Sequence, residues 1–525
     1  MNLHAIHHKT DSSYCFASGK REVTIRLRTA KEENVSPIIL YNGKYQFRLQ
    51  YLSAPMTFDR RDGLFDYYTA TLPLERPQFV YIFKLGDLYF HEEGFSREYD
   101  FSRCHFNSFQ FPYINETDRH TQVEWLENAV FYQIFPDRFN RGDTDKDDGY
   151  INLGWGEIPA SKSFAGGDLK GIADKLGYIK DLGVTAIYLT PLFRAPSNHK
   201  YDTWDYFKID PQFGTTEDLR ELVRRAHKLN MRVVLDAVFN HCGEGLTQWR
   251  DVLENGENSQ YFDWFVIDGD APVKKPLNYE CFADCDHMPK LNTSNPDCAD
   301  FLFSVAEYWF RECDIDGWRL DVSDEIPHDF WRQFRKRVKA IKPGACILGE
   351  NWHDAEPFLR GDQYDGIMNY AFTKACIDYF ADETLDEQGL ADRLNNLLMR
   401  NTDMVNNMML NMLDTHDTYR FLTLCEGDAG KLRAALTLAY FFPGSVSVYY
   451  GTEIDMAGGY DPDCRRCFDW AAESGETTAL IKRLSKIKEK LTGPAKIYCK
   501  DNTFYLIRNS FVLTLKNRGF FILGG

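Results

Sequence analysis

From about Glu124 onward, short apolar segments alternate eight times with stretches of helical period, and no other feature of the 525-residue chain restricts its fold so severely. The segments begin at Ala129 (AVFYQIF), Ala186 (AIYLTPL), Arg232 (RVVLDAVFNH), Gly317 (GWRLD), Ala345 (ACILGE), Tyr364 (YDGIMNY), Met408 (MMLNMLD) and Ser445 (SVSVYYG). Between the first two, Leu169, Ile172, Leu176, Ile179 and Leu182 share one helical face. The stretch TTEDLRELVRRAHKL has capping threonines, with Leu219, Leu222, Val223 and Ala226 at helical spacing. Strands separated by helices pair in parallel, and eight such units predict an α/β fold closed as a (β/α)8 TIM barrel. A doubly wound open sheet satisfies the same alternation until the motifs below are placed.

The segments flanking the barrel read differently. Residues 1–121 alternate apolar and polar with period two at Val23–Thr29, Tyr45–Leu52, Asp66–Leu72 and Phe79–Leu85, which predicts an N-terminal antiparallel β-sandwich. The barrel then spans 122–491. Its third strand is followed by a long stretch, 242–292, without clear helical period and rich in aromatics, Gly and Asp. A connection of that length is expected to be an inserted subdomain beside the site. A last helix is expected near Leu480–Leu491. Residues 492–525 hold KIYCK, TFYLIRN, FVLTLKN and GFFILG, four short strands in a C-terminal β region.

Several classes of function are disfavoured. A net charge of −17 argues against a nucleic-acid partner. No apolar run reaches the length of a membrane span, and the N-terminal residues lack an apolar signal region, so a cytoplasmic protein is expected. Thirteen cysteines without paired spacing fit reduced thiols; Cys464 and Cys467 form a CxxC with no second pair at zinc spacing. Aromatics make up 15% of the chain, enough to furnish both cores and flat surfaces that cover sugar rings.

The chemistry is carried by four strand ends. The third delivers Asp236, Asn240 and His241; the fourth Arg319, Asp321 and Glu325; the fifth Glu350; the seventh His416 and Asp417. C-terminal strand ends of a barrel converge on one mouth. A carboxylate ending one strand is commonly a helix cap, but four such motifs on one rim are a site. Two carboxylates there suit glycosidic cleavage, one attacking the anomeric carbon and the other protonating the leaving oxygen and then activating water. Arg319 lies two residues from Asp321, on the same strand face, and its charge favours an ionised Asp321, the nucleophile. Glu350, with a longer arm and Trp352 nearby, is the better acid/base.

These stretches, in this order, resemble the conserved regions of the α-amylase superfamily (glycoside hydrolase family 13). MPKLNTSNPD (Met288–Asp297) is similar to the fifth region of its neopullulanase, cyclomaltodextrinase and maltogenic amylase subgroup. FYQIFPDRF, FAGGDLKGI, SNHKYDTWDYFKIDPQFGT and GYDPDCRR resemble that subgroup as well, over roughly residues 120–490. AIHHKTDSSYCFASGKREVTIRLRT resembles its N-terminal starch-binding type sandwich. The resemblance implies Asp321 as nucleophile, Glu350 as acid/base and Asp417 as a third carboxylate on sugar hydroxyls. It implies His241 and His416 as hydroxyl ligands, Tyr201 as a stacking ring, Asp461 and Arg465 at the next sugar, and Glu325 towards the leaving group. The expected substrates are α-1,4-glucans: cyclodextrins, maltooligosaccharides, starch and pullulan. A transglycosylase or isomerase on the same scaffold is the alternative, and a non-catalytic sugar-binding relative a third.

Two departures from the subgroup stand out. GENWHDA replaces its usual GEIWHDA, bringing in Asn351, and Phe358 lies where a tryptophan is common. In the subgroup an ion often sits in the loop after the first strand; Asp143, Asp147, Gly166 and Asp168 are the corresponding calcium candidates here. Arg141 and Lys146 fall where two asparagines would be. A cationic side chain cannot ligate calcium and can take its place, so no cofactor is expected to be required. The resemblance also implies a homodimer in which the N-terminal domain of each protomer roofs the partner's cleft.

Overall fold

The computed structural model describes residues 1–46, 50–103, 106–116 and 119–524. Eight parallel strands form its central sheet: Val130–Ile134, Ala186–Leu189, Arg232–Ala237, Gly317–Leu320, Cys346–Gly349, Gly366–Ile367, Leu410–Met412 and Ser445–Tyr449. Each pairs with its neighbour in sequence except the sixth and seventh, which meet through a single parallel bridge, Met368 to Leu410. That bridge and the pairing of the eighth strand with the first bring the sheet round to a near-closed barrel.

Strand period explains what lines the barrel. Side chains on one strand alternate between lumen and exterior. Ile187, Leu189, Val233, Leu235, Trp318 and Leu320 face outward into the large core beneath the helices. Tyr188, Val234, Leu348, Met368 and Leu410 join a second, internal core with Val123 and Leu126 at the barrel floor. On the same internal face, one step nearer the mouth, stand Asp236 and Arg319, which the strand register sets opposite each other.

Several expectations change in detail. The amphipathic stretch from Leu169 is two short helices, Leu169–Asp174 and Leu176–Asp181, broken at Lys175. The helix Thr216–Lys228 carries a full capping box between Thr215 and Asp218, worth about 1 kcal/mol. The insertion contains a helix that its sequence pattern did not reveal, Thr247–Asn255; with only Trp249 and Val252 buried, so short an element shows little period. The last barrel helix is Glu476–Lys488.

The N-terminal region packs a four-stranded antiparallel sheet on a second sheet around a core that includes Val23, Ile25, Leu27, Leu72, Phe79, Tyr81 and Phe83. A strand runs at Leu52–Pro55; the strand expected at Tyr45–Leu52 falls in part on residues 47–49, which lie outside the described residues. This region is fastened to its own barrel: Arg26 pairs with Asp403 at 2.8 Å and Asn396 donates to Asp62 at 3.0 Å. The C-terminal strands Lys496–Lys500, Thr503–Arg508, Phe511–Lys516 and Gly519–Leu523 form one antiparallel sheet, whose Ile497, Leu506 and Leu513 extend the barrel's outer core.

Candidate active site

Glu350 follows the fifth strand after Gly349, and the glycine is there for space. A Cβ at Gly349 would come 2.6 Å from the Tyr364 ring. The chain then turns Glu350 inward, and its backbone carbonyl accepts from Ser323 Oγ at 2.7 Å. Across the mouth, Val322 adopts φ 44° and ψ 46°, a left-handed conformation that strains a β-branched residue. That conformation aims the Val322 N–H at Glu350 Oε2, 3.1 Å away. The strain therefore sits between the two carboxylates.

Arg319 organises the centre. Its Nη1 donates to Asp321 Oδ1 at 2.7 Å and to Asp236 Oδ2 at 3.0 Å, while Nη2 lies 2.8 Å from Glu350 Oε2. The Nη2 contact is a charge pairing whose angle falls short of a hydrogen bond. The expectation from sequence assigned Arg319 to Asp321 alone; the barrel register gives it three carboxylates. Burial pushes Asp321 well up, more than Arg319 pulls it down, and pushes Asp236 up to about 6. Arg319 does favour the ionised Asp321, as the spacing of two implied, but burial outweighs it. One cation shared by three buried carboxylates retains a proton that isolated carboxyls would lose. A retained proton is what an acid/base pair needs.

Around the centre the polar groups are chained. The Gln133 amide nitrogen sits 2.8 Å from His416 Nδ1, which leaves the proton on Nε2. His416 Nε2 lies 2.6 Å from Tyr201 Oη, and Tyr201 Oη donates to Asp236 Oδ2 at 3.0 Å. The Tyr201 and His416 rings are parallel. Burial drives His416 well below its ordinary value, so the ring is neutral. Asp417 is 3.1 Å from His416 Nε2 and 3.1 Å from Arg465 Nη2, and Arg465 also holds Asp461 at 2.9 Å. Burial raises Asp417, with Arg465 opposing. The three carboxylates Asp321, Glu350 and Asp417 thus share one cleft with Tyr201, His241, Glu325, Asp461 and Arg465 in a cavity of about 520 Å³. Arg319 and His416 lie just beneath it.

Glu325 is half exposed, accepting from Lys290 at 3.0 Å and from Asn240 at 3.2 Å. His241 is buried, neutral because burial lowers it to about 3, and stacked on Phe282 at 4.7 Å. Neither of its ring nitrogens has a hydrogen-bond partner among the described residues. Sequence reasoning missed His199, Phe282, Met288, Asp324, His353 and Tyr460 as cleft residues. His199, Met288, His353 and Tyr460 stood inside matched motifs, but Phe282 lies in an irregular loop that no periodicity marks. Trp352, half exposed, lies flat on Tyr370 at 3.7 Å and donates its indole N–H to Glu350 Oε1 at 3.3 Å. Asn351 turns away and accepts from His353 N at 2.9 Å, and Phe358 stacks on Tyr364 outside the cleft.

The calcium candidates do not converge. Lys146 Nζ donates to Gly166 O at 2.7 Å, Asp168 Oδ2 at 2.8 Å and Gln212 O at 2.9 Å. Asp143 pairs with Lys170 at 2.7 Å, Asp147 caps its own turn at Gly149, and Arg141 pairs with Asp148 at 3.2 Å. An ammonium bonded to three of the available oxygens is incompatible with a cation in the same place. No group of three or more His, Cys, Asp or Glu suited to a metal occurs among the described residues.

Comparison with known proteins matches this architecture. The family profile described as alpha amylase, catalytic domain, matches residues 133–497, and the alpha amylase N-terminal ig-like domain matches residues 1–115. A cyclomaltodextrinase of Thermoanaerobacter pseudethanolicus is 47% identical over 479 residues, 89% of this chain and 82% of that protein. An intracellular maltogenic amylase of Bacillus subtilis is 43% identical over 502 residues, 93% of this chain and 85% of that protein. A solved structure of a cyclomaltodextrinase superposes with a TM-score of 0.93 at 37% identity, covering 98% of this chain and 92% of that one. Likeness at this level over almost the whole length means that the chain belongs to the α-amylase family of glycoside hydrolases, alongside the cyclomaltodextrinases and maltogenic amylases.

Proposed function

We propose that this enzyme is a retaining hydrolase of α-1,4-glucans, acting on cyclodextrins, maltooligosaccharides and related glucans such as starch and pullulan. The observation that carries this reading is the single Arg319 guanidinium joined to both Asp321 and Glu350. A planar guanidinium is small, so carboxylates on its adjacent nitrogens stand close. Retaining enzymes hold the pair about 5–5.5 Å apart, whereas inverting ones leave room for a water between them.

In this mechanism Asp321 attacks the anomeric carbon and forms a covalent glycosyl-enzyme. Glu350, the acid, donates a proton to the departing glycosidic oxygen. It then takes a proton from water, which releases the sugar with its configuration kept. Arg319 opposes the burial that would keep the nucleophile protonated and pairs with the carboxylate that attacks, and the Val322 N–H and Trp352 indole fix the Glu350 carboxyl. Asp417 and the neutral His416 and His241 bind sugar hydroxyls, with Tyr201 stacked against the ring. Asp461 and Arg465 hold the next sugar and Glu325 faces the leaving group. No cofactor takes part, and Lys146 supplies the positive charge that calcium would bring to its loop.

The protein acts in the cytoplasm as a homodimer, the N-terminal domain of each protomer covering the partner's cleft. The cytoplasmic reading draws on the intracellular maltogenic amylase among its relatives; among the described residues no helix is long and apolar enough to cross a membrane. Incubation with cyclodextrin, pullulan, starch and linear maltooligosaccharides, followed by chromatography, tests the reading. Maltose and glucose formed fastest from cyclodextrin support it; longer or branched transfer products in excess of hydrolysis favour the transglycosylase instead.

A further inference from the structure

Nine of the twelve described cysteines are buried; Cys281, Cys285 and Cys499 are half exposed. The first two stand at the ends of one turn in the insertion, Cys-Phe-Ala-Asp-Cys. The Cys285 N–H closes that turn on Phe282 O at 3.0 Å, and the Phe282 N–H donates to Met288 O at 2.9 Å. Ala283, inside the turn, has φ 47°, a left-handed conformation that strains a residue with a Cβ. Cys281 Sγ donates to Ala283 O at 3.4 Å, so its sulfur lies over the turn. Burial, and after it the neighbouring Cys285 sulfur, push the Cys281 thiol up.

Phe282, next to Cys281 in the chain, belongs to the cleft. Phe282 lines the cavity and stacks on His241 at 4.7 Å with 26° between the rings. The stack covers one face of the His241 ring. A disulfide needs its two Cα atoms within about 7 Å. A closed turn already brings the Cα atoms of Phe282 and Cys285 to about that distance, and bridging Cys281 draws in one residue more.

We propose that Cys281 and Cys285 form an oxidisable dithiol, a modification site for peroxide-class oxidants, whose disulfide displaces Phe282 from His241 and slows turnover. The inference rests on the glucan-hydrolase reading of the cleft. One thiol gives up its proton and its sulfur attacks a peroxide oxygen, breaking the O–O bond; the departing hydroxide takes that proton and leaves as water, and a sulfenic acid remains. The second sulfur attacks the first as its own proton leaves, and that proton departs with the sulfenic hydroxyl as a second water while the S–S bond forms. Two electrons pass from the sulfurs to the peroxide, and a dithiol reductant reverses the change.

The test uses the full chain treated with hydrogen peroxide and then with dithiothreitol. The expected peptide spanning both cysteines is lighter by two hydrogens, and kcat/KM on a chromogenic maltoside falls about threefold or more, as ring displacement at a binding site requires. Dithiothreitol restores both. Cys281→Ser and Cys285→Ser each keep the untreated activity and lose the response. Peptide mapping that finds the two sulfurs unlinked overturns the proposal. So does a cross-link that leaves kcat/KM unchanged, or an equal loss in the double variant. An untreated enzyme without turnover overturns the hydrolase reading and this control with it, whereas failed cross-linking in an active enzyme overturns this proposal alone.

Discussion

Replacing Lys146 with methionine keeps the stem and removes the charge from the loop where relatives in the subgroup often carry calcium. The Lys146 and Asp168 side chains are 8% and 1% exposed, with 2.8 Å between them. Breaking a buried pair from one side costs about 3–5 kcal/mol, because the other charge stays behind uncompensated. Asp168 keeps three backbone donors, Gly142, Asp143 and Gly171, at 3.0, 3.0 and 2.7 Å, which places the cost near the lower end, about 3 kcal/mol. For a catalytic domain of this size, with an unfolding entropy of about 0.8 kcal/mol/K, the midpoint should fall by about 4 °C. Lys146→Asn adds a further oxygen to those of Gly166, Asp168 and Gln212, a set that suits calcium. Saturation at a hundred times Kd returns about 2.7 kcal/mol, so millimolar calcium should recover most of the lost stability in that variant. Calorimetry of wild type, Lys146→Met and Lys146→Asn, each with calcium and with EDTA, reads all of this. A wild-type midpoint that rises with calcium and falls with EDTA refutes the reasoning, as does a Lys146→Met midpoint equal to wild type.

Asp321→Asn and Glu350→Gln should each lower kcat by about a thousandfold or more while the unfolding midpoint holds, because they remove transition-state interactions rather than packing; NMR of the first product should show the α-anomer, and a β-anomer would sink Asp321 as nucleophile. Asp236→Asn removes a negative charge that raises the Asp321 carboxyl, so Asp321 ionises at lower pH. The acid limb of the kcat/KM profile should therefore move to lower pH, and movement the other way contradicts the shared-proton account. Deleting residues 1–121 should give a monomer or an unstable protein whose activity on cyclodextrins falls relative to soluble starch. A wild-type monomer in sedimentation that still prefers cyclodextrins rules out the roofed cleft.

Periodicity along the chain was sufficient for the barrel, the antiparallel N-terminal region and the C-terminal sheet, because alternation of two and of three to four residues is a local property. It also placed Asp321, Glu350 and Asp417 on one rim, since a barrel sends every strand end to the same mouth. It could not show that Asp236 stands opposite Arg319, because register is a relation between strands; nor that Val322 is strained, because a β-branched residue in a strand-like run carries no local mark of a left-handed turn. The position of Phe282 was equally hidden, since a loop owes its course to what it packs against. The charge balance at the centre followed the same division. Arg319 beside Asp321 was legible from a spacing of two, but its sharing with Asp236 and Glu350, and the burial that outweighs it, exist only once three strands have closed around one guanidinium.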